Sequence, residues 1–142
     1  MVYMPGETLD KAWTGLTSDQ KASTCRQIAE YLAQVRQLKG KGIEAVDGAP
    51  VRLGYYQSRC GGPFTSEKKF NDILARDSHQ RPAENHAIHF AHGDLSPRNI
   101  LVNKEGRITA VLGWEWAGWF PEYWDITDVF GPPRKAEDAE LC

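Results

Sequence analysis

The clearest periodic segment of the chain predicts a long amphipathic helix over residues 17–39. Apolar side chains recur there at spacings of three and four residues, which places them on one helix face: Ala22, Cys25, Ile28, Ala29, Leu32, Val35 and Leu38. Thr17 and Gln20 have the spacing of a capping box, in which each side chain bonds the other residue's backbone N–H. Gly40 suits the position after a helix, so both ends of the segment have predicted boundaries.

Glycine interrupts this periodicity over residues 40–64 and predicts a long loop with one short strand near residues 51–56. A loop of that length is often functional, and a plain surface connection is an equal alternative. Periodicity returns over residues 65–77, where Phe70 and Ile73 share the predicted core face of a second, shorter helix.

Beyond residue 86 short apolar runs replace the helical pattern and predict strands at 88–91, 100–102 and 108–112. A turn-forming loop with a late glycine separates the last two runs, so they are predicted to pair as a hairpin. Residues 131–142 are polar, and we expect this tail to fray.

Composition narrows the class of protein. A length of 142 residues suits one domain, and 41% hydrophobic with 25% charged residues is typical of a soluble globular chain. The net charge of -2, without a basic block, makes nucleic acid an unexpected partner. The chain lacks both an apolar run of membrane-spanning length and a signal-peptide pattern. Its three scattered cysteines favour a reducing setting, so we expect a cytoplasmic protein.

Side chains that could act in catalysis or bind a metal ion are most concentrated over residues 92–99. Asp94 and Asn99 lie five residues apart on a loop that Gly93 and Pro97 are suited to shape. An aspartate can accept a proton from a hydroxyl, and an asparagine oxygen can ligate a hard cation. The alternative is that both side chains only bond the backbone of their own loop, as such residues often do.

The segment HGDLSPRNILV at residues 92–102 resembles the catalytic loop of the aminoglycoside phosphotransferase and choline kinase family. Residues 107–124 resemble the segment that follows this loop, in the form seen in fungal members, and residues 4–10 resemble the segment after the hinge between the family's two lobes. The resemblance implies an α+β, mostly helical fold over residues 1–142: a protein-kinase-like C-terminal lobe with a small β-hairpin and no N-terminal lobe. In order, the expected parts are a hinge-like segment, a long helix, a glycine-rich loop, a helix, a catalytic-loop-like and aromatic segment, and a polar tail (residues 1–16, 17–39, 40–64, 65–77, 86–130 and 131–142).

The resemblance also implies roles for the loop residues: Asp94 is the catalytic base, Asn99 holds a metal ion and His92 fixes the loop. The family's second metal-binding aspartate corresponds to Gly113 in this chain, and glycine offers no ligand. Glu115 is a poor substitute, because residues two apart in an extended chain lie roughly 6.6–7 Å from each other. Phosphoryl transfer depends on positioned charge, so the glycine argues against a competent kinase.

Substrate-binding candidates are the side chains that an apolar or charged ligand would meet near this loop: Trp114, Glu115, Trp116, Tyr56 and Arg98. The aromatic residues can instead be core, and Arg98 can instead pair with a surface carboxylate. In an extended chain the tryptophans at 114 and 116 would share one face. His86, His89 and His92 have three-residue spacing, but that spacing alternates faces in an extended segment, so we expect no zinc site.

Several functions therefore stay open for the Asp94 loop. The favoured interpretation is a repurposed small-molecule enzyme, a lyase, isomerase or cyclase, that performs acid–base chemistry at Asp94. The alternatives are a non-catalytic, pseudokinase-like binding module and a small-molecule phosphotransferase completed by a partner. No cofactor is expected unless the protein is a kinase, which would need magnesium and ATP.

We expect a small-molecule ligand of apolar character and no membrane or nucleic-acid partner. The surface that a missing lobe would cover should be apolar, and exposed apolar patches generally mark interaction sites. This predicts a homodimer or a protein partner.

Overall fold

A computed structural model describes residues 3–53, 60–74 and 83–124 of the chain. In these ranges it contains the helices α1 (Leu9–Ala12), α2 (Ser18–Val35) and α3 (Glu67–Leu74). The strands are β1 (Glu7–Thr8), β2 (Glu44–Ala45), β3 (Val51–Arg52), β4 (Cys60–Gly61), β5 (Ile88–Ala91), β6 (Ile100–Val102), β7 (Ile108–Val111) and β8 (Gly118–Pro121). Short 3₁₀ helices lie at Trp13–Gly15, Pro97–Asn99 and Trp114–Trp116.

The predicted capping box forms at the start of α2. The N–H of Gln20 donates to Thr17 Oγ1 at 3.2 Å, and the N–H of Thr17 donates to Gln20 Oε1 at 2.9 Å. Two N–H groups that have no partner inside the helix are satisfied in this way.

Helix α2 ends at Val35, four residues before the predicted boundary. The backbone after it pairs with β5 instead. Leu38 O accepts from Phe90 N–H at 2.9 Å, and Gly40 N–H donates to Ile88 O at 3.0 Å. The apolar spacing continues through Leu38. The helix nevertheless ends at Val35, because the backbone that follows it pairs with β5, a strand distant in sequence.

Three antiparallel sheets lie in the described residues, with strand orders β1-β6-β7, β2-β8-β5 and β3-β4. The β6–β7 hairpin and strand β5 were predicted and are confirmed. The strand expected near 51–56 is present as the short β3, and the helix expected over 65–77 is present as α3. Residues 54–59, 75–82 and 125–142 lie outside the described residues, and the predicted polar tail with them.

The expectation of a mostly helical fold does not fit the described residues. Eight strands accompany three helices there, and α2 is the single helix longer than eight residues. Part of the difference lies in residues 40–64, which were predicted to be loop with one strand and contain β2, β3 and β4. Each is only two residues long, and β2 pairs with the distant β8, so no local period reveals it. The α+β class holds for the described residues, and the kinase-like lobe remains a prediction.

Two hydrophobic clusters lie at the two ends of the loop over residues 92–99. One contains Ala91, at the end of β5, and the other contains Leu95 and Ile100. The first cluster groups Ile43, Val51, Leu53, Phe64, Phe70, Ala91, Phe120 and Trp124. The second groups Leu9, Leu16, Ile28, Leu95, Ile100, Val102 and Ile108. Residues 92–99 therefore run from one core to the other, which fixes both ends of the loop. Among the described helices, none has both the length and the apolar character needed to cross a bilayer.

Candidate functional site

The loop over residues 92–99 takes a sharp turn at Gly93, where φ is +82°. A Cβ atom at this residue would collide with the backbone carbonyl of Trp116. Glycine is therefore required twice, for its backbone conformation and for the close approach of another segment. Past the turn, Ser96 N–H donates to Asp94 O at 2.9 Å, and Asn99 N–H donates to Ser96 O at 2.9 Å.

His92 ties the start of this loop to the end of β7. Its Nε2 lies 2.8 Å from Leu112 O and must carry the hydrogen, because a carbonyl oxygen can only accept. Its Nδ1 accepts the backbone N–H of Asp94 at 3.2 Å. The ring is buried and lies against Trp114, with 4.5 Å between the ring centroids. The imidazole therefore sets the backbone on which Asp94 sits.

The carboxylate of Asp94 is buried and ion-paired. Arg98 Nη2 donates to both of its oxygens, at 2.9 Å each. Asn99 Nδ2 donates to the Asp94 carbonyl at 2.8 Å and to Oδ2 at 3.2 Å. The aspartate side chain is 7% exposed and that of Arg98 is 45% exposed, so the guanidinium covers the carboxylate from the solvent side.

Among the described residues, the side chains that contact the Asp94 carboxylate include a guanidinium and an amide. Arg98 was expected either to hold an anion or to pair with a surface carboxylate. Its partner is a buried carboxylate on its own loop.

Gly113 lies directly beside Asn99. Its φ is +77°, and a Cβ built there would be 2.9 Å from Asn99 Nδ2 and 3.0 Å from Oδ1. A side chain at position 113 would therefore point at Asn99, but glycine supplies no oxygen there. Magnesium is bound by oxygen ligands in near-octahedral geometry, so the described residues do not fit a magnesium site held between positions 99 and 113.

Other carboxylates do not repair this deficit in the described residues. Glu115 is exposed and makes no hydrogen bond or ion pair with a described residue. Asp125 and Asp128 lie outside the described residues. Among the residues that the structure describes, no group of three His, Cys, Asp or Glu side chains could hold a metal ion.

The two tryptophan candidates in the described residues have different surroundings. Trp114, Glu115 and Trp116 lie on a 3₁₀ helix, so the expected extended alternation is wrong for this segment. Trp114 is 44% exposed and stacks on Phe90, with ring centroids 6.4 Å apart. Trp116 instead carries the guanidinium of Arg52 over its ring at 4.9 Å. Tyr56, the remaining candidate, lies outside the described residues.

An apolar groove of about 340 Å³ lies between α2 and β7. Ile28, Leu32 and Val111 line its walls, Tyr31 and Trp114 are its partly exposed aromatic side chains, and His92 also lines it. Asp94 is not among the lining residues. Sequence reasoning identified an apolar face on α2 but did not predict a groove beside it. The signal available was that Tyr31 is three residues after Ile28 and four before Val35, which places it on the same helix face.

A second buried polar cluster was also missed. His86 Nδ1 lies 2.6 Å from Glu67 Oε1, and the backbone N–H of His86 donates to Oε2 at 2.9 Å. Nearby, Tyr123 donates its hydroxyl hydrogen to Asn71 Oδ1 at 3.0 Å. Burial, and then the charge of Glu67, raises the pKa of Tyr123 well above its ordinary value. His86 is thus engaged by a carboxylate, while His92 bonds Leu112, so the described residues give the three histidines no shared metal site.

A family described as the phosphotransferase enzyme family matches residues 1–141, almost the whole chain. Neither a curated protein nor a solved structure matches. The family match covers the loop of Asp94 and Asn99 and agrees with the resemblance stated from the sequence. The chain belongs to the phosphotransferase enzyme family.

Proposed function

We propose that this family member binds a small molecule beside the Asp94 loop and does not transfer phosphate from ATP through that loop. The observation that carries the proposal is Gly113, which faces Asn99 and gives it no partner oxygen. Phosphoryl transfer relies on metal ions that bridge the phosphates and neutralise developing charge. A loop that keeps the base and one ligand but lacks the second ligand is suited to binding rather than transfer, as in a pseudokinase.

The groove between α2 and β7 supports a ligand with an apolar part. Its volume of about 340 Å³ falls at the lower end of the roughly 300–1,000 Å³ that small-molecule sites occupy. Its aliphatic walls would bury apolar surface, and its aromatic side chains, Tyr31 and Trp114, would flank a flat or branched ligand. Because His92 both lines the groove and holds the backbone of Asp94, a ligand there would contact the loop directly.

Acid–base chemistry at Asp94, such as isomerisation, dehydration or cyclisation, is the second candidate. The favouring observation is that Asp94 is held on three sides, by His92 through its backbone and by Arg98 and Asn99 through its carboxylate. A base fixed in this way would need no reorganisation before reaction. To act, one carboxylate oxygen would have to exchange its contact with Arg98 for a substrate hydroxyl.

A thermal-shift experiment with four conditions tests the proposal: buffer, ATP alone, magnesium alone, and both. Ligands that bind the folded state raise Tm by mass action. We expect no increase with magnesium and ATP together beyond the sum of their separate effects. A joint increase beyond that sum would overturn the proposal and indicate a phosphotransferase.

A fluorescent anionic dye with apolar aromatic rings, 1-anilinonaphthalene-8-sulfonate, tests the groove. The variant Val111→Glu places a charge in the groove wall and should reduce dye binding at least fivefold. Val46→Glu is the matched control, since Val46 is 67% exposed and does not line the groove. Equal dye binding by the two variants, with both folded by circular dichroism, would remove the groove from the proposal.

A further inference from the structure

We infer that the groove between α2 and β7 selects uncharged ligands, namely apolar compounds whose polar groups are neutral, such as a hydroxyl or a carbonyl. The inference deepens the proposed function and rests on it, because it names the chemical class of the ligand. It excludes from this groove any ligand that would bury an ammonium, a carboxylate or a phosphate group there.

The lining of the groove is uncharged. Aliphatic residues form most of it, and lysine, arginine and acidic side chains are absent from the lining that the described residues form. His92 is neutral in this geometry, since its Nε2 donates to Leu112 O while its Nδ1 accepts the N–H of Asp94. A charged ligand would therefore find no opposite charge in the described walls.

The polar side chains of the lining are partly used by the protein itself. Trp114 Nε1 donates to a backbone carbonyl at 2.9 Å, and the Thr109 hydroxyl donates to another at 2.6 Å. The Tyr31 hydroxyl and the Gln34 amide, both on exposed residues of α2, make no such bond to a described residue. Both groups are neutral and can bond a hydroxyl or a carbonyl of a ligand.

Charged side chains line a neighbouring hollow instead. This hollow shares Tyr31 and Ile108 with the groove and is also lined by Glu30, Glu105 and Arg107. All three charged residues are exposed, so water solvates them. Charge is thus available next to the groove but outside its described walls, and the buried part of a ligand meets an apolar surface.

Desolvation turns this difference into selectivity. An ion that enters an apolar site loses its water and gains no partner, whereas an apolar group gains from burial. For compounds of equal size we expect a preference of roughly tenfold for the neutral one, equivalent to about 1.4 kcal/mol. The sulfonate of the larger anilinonaphthalene dye can stay in water while its rings are buried, so binding of that dye does not contradict this expectation.

Equilibrium dialysis at about pH 7 compares three compounds that share one ring system: 2-naphthalenemethanol, 2-naphthoate and 2-naphthylmethylammonium. The natural chain should bind the alcohol roughly tenfold more tightly than either ion. Val35→Lys places an ammonium group at the end of α2 in the groove, and should raise the affinity for naphthoate about fivefold without raising that for the alcohol. Val46→Lys is the matched control, because Val46 is exposed and does not line the groove, and it should leave all three affinities unchanged.

Three outcomes would overturn the inference: binding of either ion as tight as that of the alcohol, binding of none of the three compounds, or an equal gain for naphthoate in both lysine variants. If Val35→Lys fails to fold by circular dichroism, Gln34→Lys replaces it, since Gln34 also lines the groove and is exposed. A joint shift with ATP and magnesium would refute the proposed function itself, whereas these comparisons test the charge of the ligand.

Discussion

Replacement of Gly93 by alanine tests whether the turn before Asp94 is fixed by contact with another segment. At φ +82° an alanine would adopt a left-handed conformation that costs roughly 1–2 kcal/mol for an L-residue. Its Cβ would also overlap the carbonyl of Trp116, and relief requires a backbone shift. Overpacking of this kind costs typically about 1–3 kcal/mol. The two effects together predict a loss of about 3 kcal/mol in the free energy of unfolding.

Gly48 offers the matched control. Its φ of +78° is nearly the same, but a Cβ there meets nothing within 4 Å. Gly48→Ala therefore carries the backbone strain without the collision, and should lose only about 1–2 kcal/mol. Urea denaturation followed by far-UV circular dichroism gives both values by linear extrapolation. Equal losses in the two variants would refute the reasoning, since the approach of Trp116 would then have no energetic consequence.

Three further changes have expected outcomes. His92→Ala removes the hydrogen bond to Leu112 O and the ring nitrogen that accepts the backbone N–H of Asp94. This change should lower the free energy of unfolding, measured in urea, by about 2–4 kcal/mol. Thr24→Val removes a fully buried hydroxyl that donates to Gly106 O at 2.8 Å, and the same assay should show a loss of about 1–2 kcal/mol. Burial raises the pKa of Tyr123, so above pH 10 the unfolded chain releases a proton that the folded chain retains. Stability should therefore fall with rising pH above 10, with a smaller slope in Tyr123→Phe.

Local chemistry explains which parts of the fold the sequence could predict. The capping box at Thr17 and the β6–β7 hairpin depend on residues a few positions apart, and both form as expected. Strand β2 has only two residues, and its partner β8 begins more than seventy positions later. Such pairings depend on tertiary contacts, which a pattern of hydrophobic positions does not contain. The end of α2 was misplaced for the same reason, because pairing with β5 ends the helix.

In the candidate site, too, contacts between residues close in sequence could be predicted and contacts between distant residues could not. Its motif was found because Asp94 and Asn99 are close in sequence, and the loop brings Asn99 Nδ2 within 2.8 Å of the Asp94 carbonyl. The pairing of Asp94 with Arg98 was missed, although their four-residue spacing was a usable signal for a turn that brings them together. Glu67 and Tyr123 could not be linked from sequence, because more than fifty residues separate them. Only the folded chain shows that they are buried near one another.

The contacts of the loop also change what its intact motif implies. From sequence, the presence of Asp94 and Asn99 without the second metal ligand slightly favoured retained catalysis. In the structure the backbone carbonyl of Asn99 accepts the N–H of Leu112 at 2.7 Å, the Asn99 side chain donates to the Asp94 carbonyl, and His92 donates to Leu112 O. These residues join the loop to β7 whether or not a reaction occurs. The motif would therefore persist in a binding module for the stability it provides. An intact Asp94 loop is for this reason compatible with the proposed binding function and does not by itself argue for phosphoryl transfer.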